Sequence, residues 1–413
     1  MSDFSYNSQK QLVFAGHVLS KYTQPDQNPF YLYSETILQE QLHKFRTAIT
    51  TQLNKSPKIF FAMKANPSAR VIAHFVKHGV GVDVVSLGEI KKSLAAGNSA
   101  ANTVYSGVGK RVSEIRQAIE LGVQQINVES IEELQRIVDI AQSLPITSAA
   151  AKKVSIALRV NPEVDVRTHP YIATGLKENK FGIEMSRLPE AIEIFRRAEA
   201  AAKAANRPCP VQWVGLSLHI GSQLKEFESL RVSLQKIKNV FQEIRSQGFD
   251  LKVFDVGGGL GIAYESDRKE DEKFLQQYAA VLGSELKDFP ADIQLEPGRC
   301  LTARAGVLVT EVQYRKLTSH KTFLVVSSGM NHLLRPSLYE AYHRIFPLQD
   351  NSETEVVDVV GPVCESSDFY AKDRRLPKVK AGDFLAIADV GAYGMSMAST
   401  YNSFDLPDEI WLS

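Results

Sequence analysis

A lysine that closes an apolar run is the first residue in this chain with an evident chemical use. Lys64 follows Ile59, Phe60, Phe61, Ala62 and Met63, and precedes Ala65 and Asn66. Apolar neighbours disfavour an ammonium, and a lysine held as the free amine forms Schiff bases with carbonyl compounds. Further along, Gly257, Gly258 and Gly259 open the stretch GGGLG directly after VFDV. Glycines there let backbone N–H groups close around a phosphate. In EPGR (296–299), Glu296 can hold a ring nitrogen protonated, while Arg299 can grip a carboxylate or phosphate with its fork. His219 in SLHIGS can stack on a planar ring, and Ser222 can donate to a phosphate. Each has a plainer reading alone: a rim lysine, a tight turn, an internal Glu–Arg ion pair, a space-filling histidine, a helix-capping serine.

What positions these residues is a repeated unit. Eight short runs rich in β-branched residues recur: KIFFAMKA (58–65), GVDVVS (81–86), NTVYSG (102–107), QQINVES (124–130), VSIALRV (154–160), VGLSLHIG (214–221), VFDVGGG (253–259) and DIQLEPGR (292–299). Amphipathic stretches lie between them. In SIEELQRIVDIAQSL, Ile131, Leu134, Ile137 and Val138 form the apolar stripe of a helix lying on a sheet. Eight βα units predict a parallel α/β sheet, and eight is the number that closes a TIM barrel of roughly 250 residues. A doubly wound open sheet is the competitor, with the glycine stretch as its dinucleotide loop. That rival is weakened because no GxGxxG is present and the glycines come late among the units. In a barrel, the active residues belong at the C-terminal strand ends. Those ends are Lys64, Asp83, Arg159, His219, Gly257–Gly259, and Glu296 with Arg299.

After residue 300 the texture changes to VLVTEVQYRKL, KTFLVVSSG, TEVVDVVGP and GDFLAIADVGAYG, which predicts an antiparallel β domain, a sandwich or small barrel. The expected organisation is an N-terminal segment (1–30) joining the β domain, a barrel over 31–290, and a C-terminal β domain over 291–413 that follows the last barrel strand at 292–299.

Composition narrows the function. The 413 residues carry 48 Lys+Arg against 47 Asp+Glu, a formal charge of +1, so nucleic acid is not the expected partner. No apolar run approaches the ~18 residues of a membrane span, and the first residues show no secretory pattern. Three scattered cysteines, Cys209, Cys300 and Cys364, predict neither a disulfide framework nor a zinc site, and no other metal is expected. The expectation is a soluble cytoplasmic protein acting on a small molecule. A lysine nucleophile, a phosphate cradle, a stacking ring and an acid for a ring nitrogen together are what pyridoxal phosphate requires.

With those motifs in order and at natural spacing, the chain resembles the barrel-type, fold-type III pyridoxal phosphate decarboxylases, most closely the diaminopimelate decarboxylases. The resemblance implies a (β/α)8 barrel plus a β domain, and decarboxylation of meso-2,6-diaminopimelate to L-lysine and CO2, the last step of lysine biosynthesis. FAMKAN then carries the Schiff-base lysine, Lys64. Asp83, His219, Ser222, Gly257–Gly259, Glu296, Gly298, Arg299 and Tyr393 would bind the cofactor. LRVNPEVDVRTHPYIATGLKENKFGI (158–183) matches the family's segment after the fifth strand, including its active-site loop. GPVCESSD (361–368) supplies Cys364 as proton donor from a partner subunit, which makes the enzyme a homodimer with shared sites. Arg299, Arg335 and Tyr339 would take the substrate's distal carboxylate, Glu365 its distal amine, and Tyr393 would reach both cofactor and substrate. Lys180 and Asp368 match residues that pair across the family's interface. Two departures stand out: His332 occupies a position where the family commonly has aspartate, and Ser327–Ser328 replace a frequent acidic-small pair. Rival functions are a decarboxylase of another diamino acid such as ornithine, arginine or lysine, an alanine-racemase-like enzyme, and a silent regulatory homologue. The arginines disfavour the first, Glu296 the second, and the presence of Lys64 and Cys364 the third.

Overall fold

The computed structural model describes residues 3–144, 153–164 and 180–412. The described chain divides into two compact units. One comprises residues 47–261 and 275–298; the other comprises 1–46, 262–274 and 299–413.

In the first unit each apolar run of the sequence is a strand: β1 (Lys58–Ala62), β2 (Gly81–Val84), β3 (Thr103–Tyr105), β4 (Gln125–Val128), β5 (Val154–Asn161), β6 (Val211–Ser217), β7 (Val253–Asp255) and β8 (Asp292–Leu295). All pair in parallel with their sequence neighbours. Two pairings decide between barrel and open sheet. Ile126, Asn127 and Val128 of β4 face Ile156, Ala157 and Leu158 of β5, and Gln294 and Leu295 of β8 face Lys58 and Ile59 of β1. The sheet therefore returns on itself, and the doubly wound alternative is excluded. Ile183–Glu184 adds a short parallel strand beside the end of β5.

The helices follow local rules. In Ile131–Ser143, Ser130 caps the N-terminus by accepting from the Glu133 N–H at 3.1 Å, and Glu132 and Glu133 oppose the helix dipole. Its stripe of Ile131, Leu134, Ile137 and Val138 is buried, as the spacing predicts. Gly122 ends Val112–Leu121 in the left-handed conformation at φ +74°.

The second unit is built on β9 (Gly306–Leu317), β10 (Thr322–Val326), β11 (Ile345–Pro347), β12 (Thr354–Val360), β13 (Phe369–Pro377), β14 (Phe384–Ile387) and β15 (Asp408–Leu412). The strand Phe30–Ser34 lies between β9 and β15. The sheet is mixed rather than purely antiparallel. β10 runs parallel to β12, and β15 runs parallel to Phe30–Ser34; neither pair is joined by a hairpin, since other helices and strands intervene in the chain. Tyr31, Tyr33, Leu308, Val312, Leu324 and Ile387 fill its core.

A buried arginine ties residues 262–274 to this unit. Arg304 forks onto Asp271 (Nε 2.7 Å, Nη2 3.0 Å), donates from Nη2 to the Ala263 carbonyl at 2.7 Å, and pairs with Asp389 at 2.9 Å. Asp271 in turn accepts from the Ala263 N–H at 2.6 Å. The side chains of Arg304 and Asp389 are both 0% exposed. Arg304→Met is expected to lower unfolding free energy by about 3 kcal/mol in urea titrations, since it strands Asp271 and half of Asp389's pairing in the interior. Arg344 keeps the other half through its fork onto Asp389.

Candidate active site

The C-terminal ends of the barrel strands gather most of the residues singled out by spacing. Lys64 sits on a single 3-10 turn directly after β1. The desolvated lysine expected from its neighbours is not what forms: Met63 and Ala65 are buried, while Lys64 itself is exposed. Opposite it stand three carboxyl groups, Asp83 at the end of β2, Asp255 at the end of β7, and Glu296 after β8. Burial pushes Asp83 up to about 7, with the Lys64 charge acting the other way. Asp255 is raised by burial despite a bond to Glu296. Glu296 is raised well above the carboxylate range by burial of its carboxyl end and then by the neighbouring Asp255 and Asp83. Asn127 Nδ2 spans the group, donating to Glu296 Oε1 (3.1 Å), Asp255 Oδ2 (3.3 Å) and Ser106 Oγ (3.1 Å). Asp83 Oδ1 is buried without a hydrogen-bond partner.

His219 follows β6. Burial and the charges of Lys64 and Arg159 hold it well below the usual imidazole range, so it is neutral. The Gly258 N–H donates to its Nδ1 at 3.3 Å, which leaves the ring proton on Nε2. Arg159, at the end of β5, donates to Glu129 at 2.8 Å and to the His219 carbonyl at 3.3 Å. The glycine triplet has a steric reason as well as a chemical one. Gly257 takes φ +69°, and a Cβ at Gly258 would collide with the Glu296 carbonyl. Ser222, three residues beyond His219, is half-buried. Gly298 packs against Ala62 and Ala65, where a Cβ would sit at 3.1 and 3.0 Å. The active-site loop expected between β5 and Ile183 lies largely outside the described residues, at 165–179.

The donor set fits pyridoxal phosphate. Three raised carboxyls and an orphaned carboxylate oxygen call for a cationic N–H, and a glycine turn lies beside a neutral histidine, residue types suited to an anion and a flat ring.

The second unit holds a separate cluster. Arg299 Nη1 donates to the Tyr264 hydroxyl at 2.8 Å, and its guanidinium lies 4.7 Å from the Tyr393 ring centre. Arg335 lies 4.5 Å from the Tyr264 ring centre and donates from Nη1 to His343 Nε2 at 2.8 Å. Tyr339 is close enough to act electrostatically on Arg335. Tyr393 holds φ +58°, a strained conformation for a non-glycine residue. Cys364 and Glu365 belong to an exposed loop. There Cys364 N–H donates to Asn402 Oδ1 at 3.1 Å, and the Tyr401 hydroxyl donates to Glu365 Oε1 at 2.6 Å. Among the described residues, no hydrogen bond or ion pair joins this loop to the arginine cluster. Asp368, matched to an interface residue, is engaged within its own chain: its oxygens accept from Met330 N–H and Val363 N–H, each at 2.6 Å. His332 is buried, with Nε2 on the Asp405 carbonyl at 2.9 Å.

Reading strand ends and motifs missed Tyr264, His343, Asn127 and Asp255. Asp255 did carry a signal, as a lone polar residue closing an apolar strand.

A closed parallel barrel with a lysine, a glycine turn and a set of buried carboxyl groups at its C-terminal strand ends is the arrangement of a class, the barrel-type pyridoxal phosphate decarboxylases. Consistently, the family model for the pyridoxal-binding domain of pyridoxal-dependent decarboxylases matches residues 37–303. The diaminopimelate decarboxylase of Helicobacter pylori (strain J99) is 42% identical over 377 residues, 91% of this chain and 88% of that protein. That of Aquifex aeolicus is 38% identical over 393 residues, 95% and 88% of the two chains. The crystal structure of the Helicobacter pylori enzyme complexed with L-lysine superposes with a TM-score of 0.85 at 40% identity, covering 95% of this chain and 94% of that one. The chain belongs to the diaminopimelate decarboxylase family.

Proposed function

We propose that this protein decarboxylates meso-2,6-diaminopimelate to L-lysine and CO2 with pyridoxal phosphate as cofactor. The observation that carries the substrate is the pair of buried arginines, Arg299 and Arg335, 8% and 6% exposed, held by tyrosines and a histidine. Such a pair calls for an anion, and the substrate's carboxylate distal to the reacting carbon supplies it. Ornithine or lysine, reacting at its own α-carbon, brings no second carboxylate to the arginines.

When bound, the cofactor supplies the electron sink for the carbanion left by CO2. Lys64 Nζ is the covalent anchor. The glycine turn Gly257–Gly259, with Ser222, would take the phosphate. His219 would stack on the ring, and Asp83 would help seat it. Glu296 would pair with the ring nitrogen and hold a proton there. Gly298 allows the chain to close beside Ala62 and Ala65. The C–C bond to the α-carboxylate breaks, CO2 leaves, and the Cys364 thiol gives its proton to the α-carbon. Tyr339 supports the carboxylate site, Glu365 takes the distal amine, and Tyr393 reaches substrate and cofactor.

The test is CO2 release by the pyridoxal phosphate-loaded protein with diaminopimelate, ornithine, arginine and lysine in parallel. Release from diaminopimelate alone is expected, with Arg299→Met raising its KM by roughly 10–100-fold. Comparable release from another amino acid overturns the specificity.

We also propose a cytoplasmic homodimer with shared sites. No described helix is long and apolar enough to cross a membrane. Exposure of Cys364 and Glu365, far along the chain from Lys64, supports donation to a partner copy. Mixing a Lys64→Ala chain with a Cys364→Ala chain is then expected to restore activity toward one quarter of wild type; full activity of a monomer in sedimentation overturns the idea.

A further inference from the structure

The arginine cluster has a feature that substrate binding alone does not explain. Arg335 is buried, yet among the described residues its partners are His343 and Tyr264, neither of them an acid. His343 is fully buried, and its two ring nitrogens are both committed. Nδ1 lies 2.8 Å from the Ala388 carbonyl, which can only accept, so the ring proton sits on Nδ1. Nε2 is then a bare lone pair, and it accepts from Arg335 Nη1 at 2.8 Å. Tyr264 completes the frame. Its ring meets His343 edge-on at 5.1 Å, lies under the Arg335 guanidinium at 4.5 Å, and its hydroxyl accepts from Arg299 at 2.8 Å. Ala263, the residue before it, is fixed on both its N–H and its carbonyl by Asp271 and Arg304.

We propose that His343 and Tyr264 are positioning residues that hold Arg335 in place without neutralising it, so that its full charge is kept for a ligand carboxylate. The inference deepens the reading of Arg299 and Arg335 as carboxylate binders and rests on it. A carboxylate in the place of His343 would orient Arg335 equally well, but it would cancel the charge that an incoming carboxylate needs. A neutral acceptor with a fixed tautomer orients the fork and cancels nothing. Burial and the adjacent Arg335 hold His343 well below the usual imidazole range, which keeps its lone pair available. The aromatic face of Tyr264 does the same for Arg335 through the ring quadrupole, an attraction that leaves the cation's net charge intact.

The experiment compares two ligands of the pyridoxal phosphate-loaded protein by calorimetry. L-lysine carries the carboxylate that the arginines are proposed to bind; cadaverine is the same diamine without it. In His343→Asp, affinity for L-lysine is expected to fall by about 100-fold while that for cadaverine stays within about threefold of wild type. His343→Gln, which keeps a neutral acceptor, is expected to lose less than about tenfold for L-lysine. KM for diaminopimelate should follow the same order, with kcat moving less. Equal losses for both ligands in His343→Asp, or equal losses of L-lysine affinity in His343→Asp and His343→Gln, overturn the proposal and leave His343 a packing residue. Arg335→Met separates the two layers. If it leaves L-lysine binding unchanged, the carboxylate reading itself fails; if it weakens L-lysine while His343→Asp does not, only the positioning role fails.

Discussion

Lys64→Ala is expected to cut decarboxylation by roughly four orders of magnitude or more while leaving the fold intact, because the covalent anchor is lost and the residue truncated is an exposed one. Lys64 is exposed between buried Met63 and Ala65, so its truncation opens no cavity in the core. Its charge does act on the carboxyl groups, lowering Asp83 and Glu296. Removing it raises both further, toward the neutral acid, which limits the electrostatic cost to the folded chain. CO2 release gives the rate, thermal unfolding gives the fold, and a mass measurement after borohydride reduction gives the covalent link. A variant retaining more than a few per cent of wild-type rate, with native unfolding, removes Lys64 from the mechanism.

How much of this was legible beforehand follows from what each feature depends on. The eight strands were readable because each is an apolar run of a few residues closed by a polar residue or glycine, a purely local signal. Closure was not, since it rests on Gln294 and Leu295 meeting Lys58 and Ile59, more than 230 positions away in the chain. Lys64, Asp83, His219 and Glu296 were visible because strand ends are where a barrel gathers its chemistry. Arg299 was read from the same strand end, but the structure begins the second unit with it. Tyr264 and His343 carry no periodic signal: one lies in irregular chain after the glycine turn, the other in irregular chain before β11, and only the fold brings them to the arginines. The role of Cys364 came from resemblance alone, since an exposed lone cysteine has no local mark of use. The purely antiparallel β domain expected after residue 300 gave way to a mixed sheet because strand direction depends on the connections, which alternation of residue types does not encode.

Glu296→Gln is expected to act in opposite directions on the rate and on the stability of the cofactor-free protein. In the loaded enzyme the variant can no longer hold the ring nitrogen charged, and kcat is expected to fall by about 100–1000-fold, the scale set by removing one preorganised electrostatic contact. Without cofactor, the same carboxyl is a burden. Asp83, Asp255 and Glu296 all have folded-state pKa values above their unfolded ones. The folded form therefore binds extra protons above about pH 4, and stability from these groups is fully present below that pH. It is lost as pH rises through the folded-state values, about 7 for Asp83 and well above the usual carboxylate range for Glu296. Replacing Glu296 with an amide removes one of the three titrations and the like charge it presents. Stability at pH 7.5 should rise by about 1 kcal/mol, and the decline between pH 5.5 and 7.5 should flatten. Saturating pyridoxal phosphate should stabilise wild type more than the variant, because only the wild-type carboxylate meets the ring cation. Urea titrations at the two pH values, with and without cofactor, read all three effects. A variant that is less stable without cofactor yet keeps full kcat means that Glu296 is a packing residue and that the ring nitrogen is served by another group.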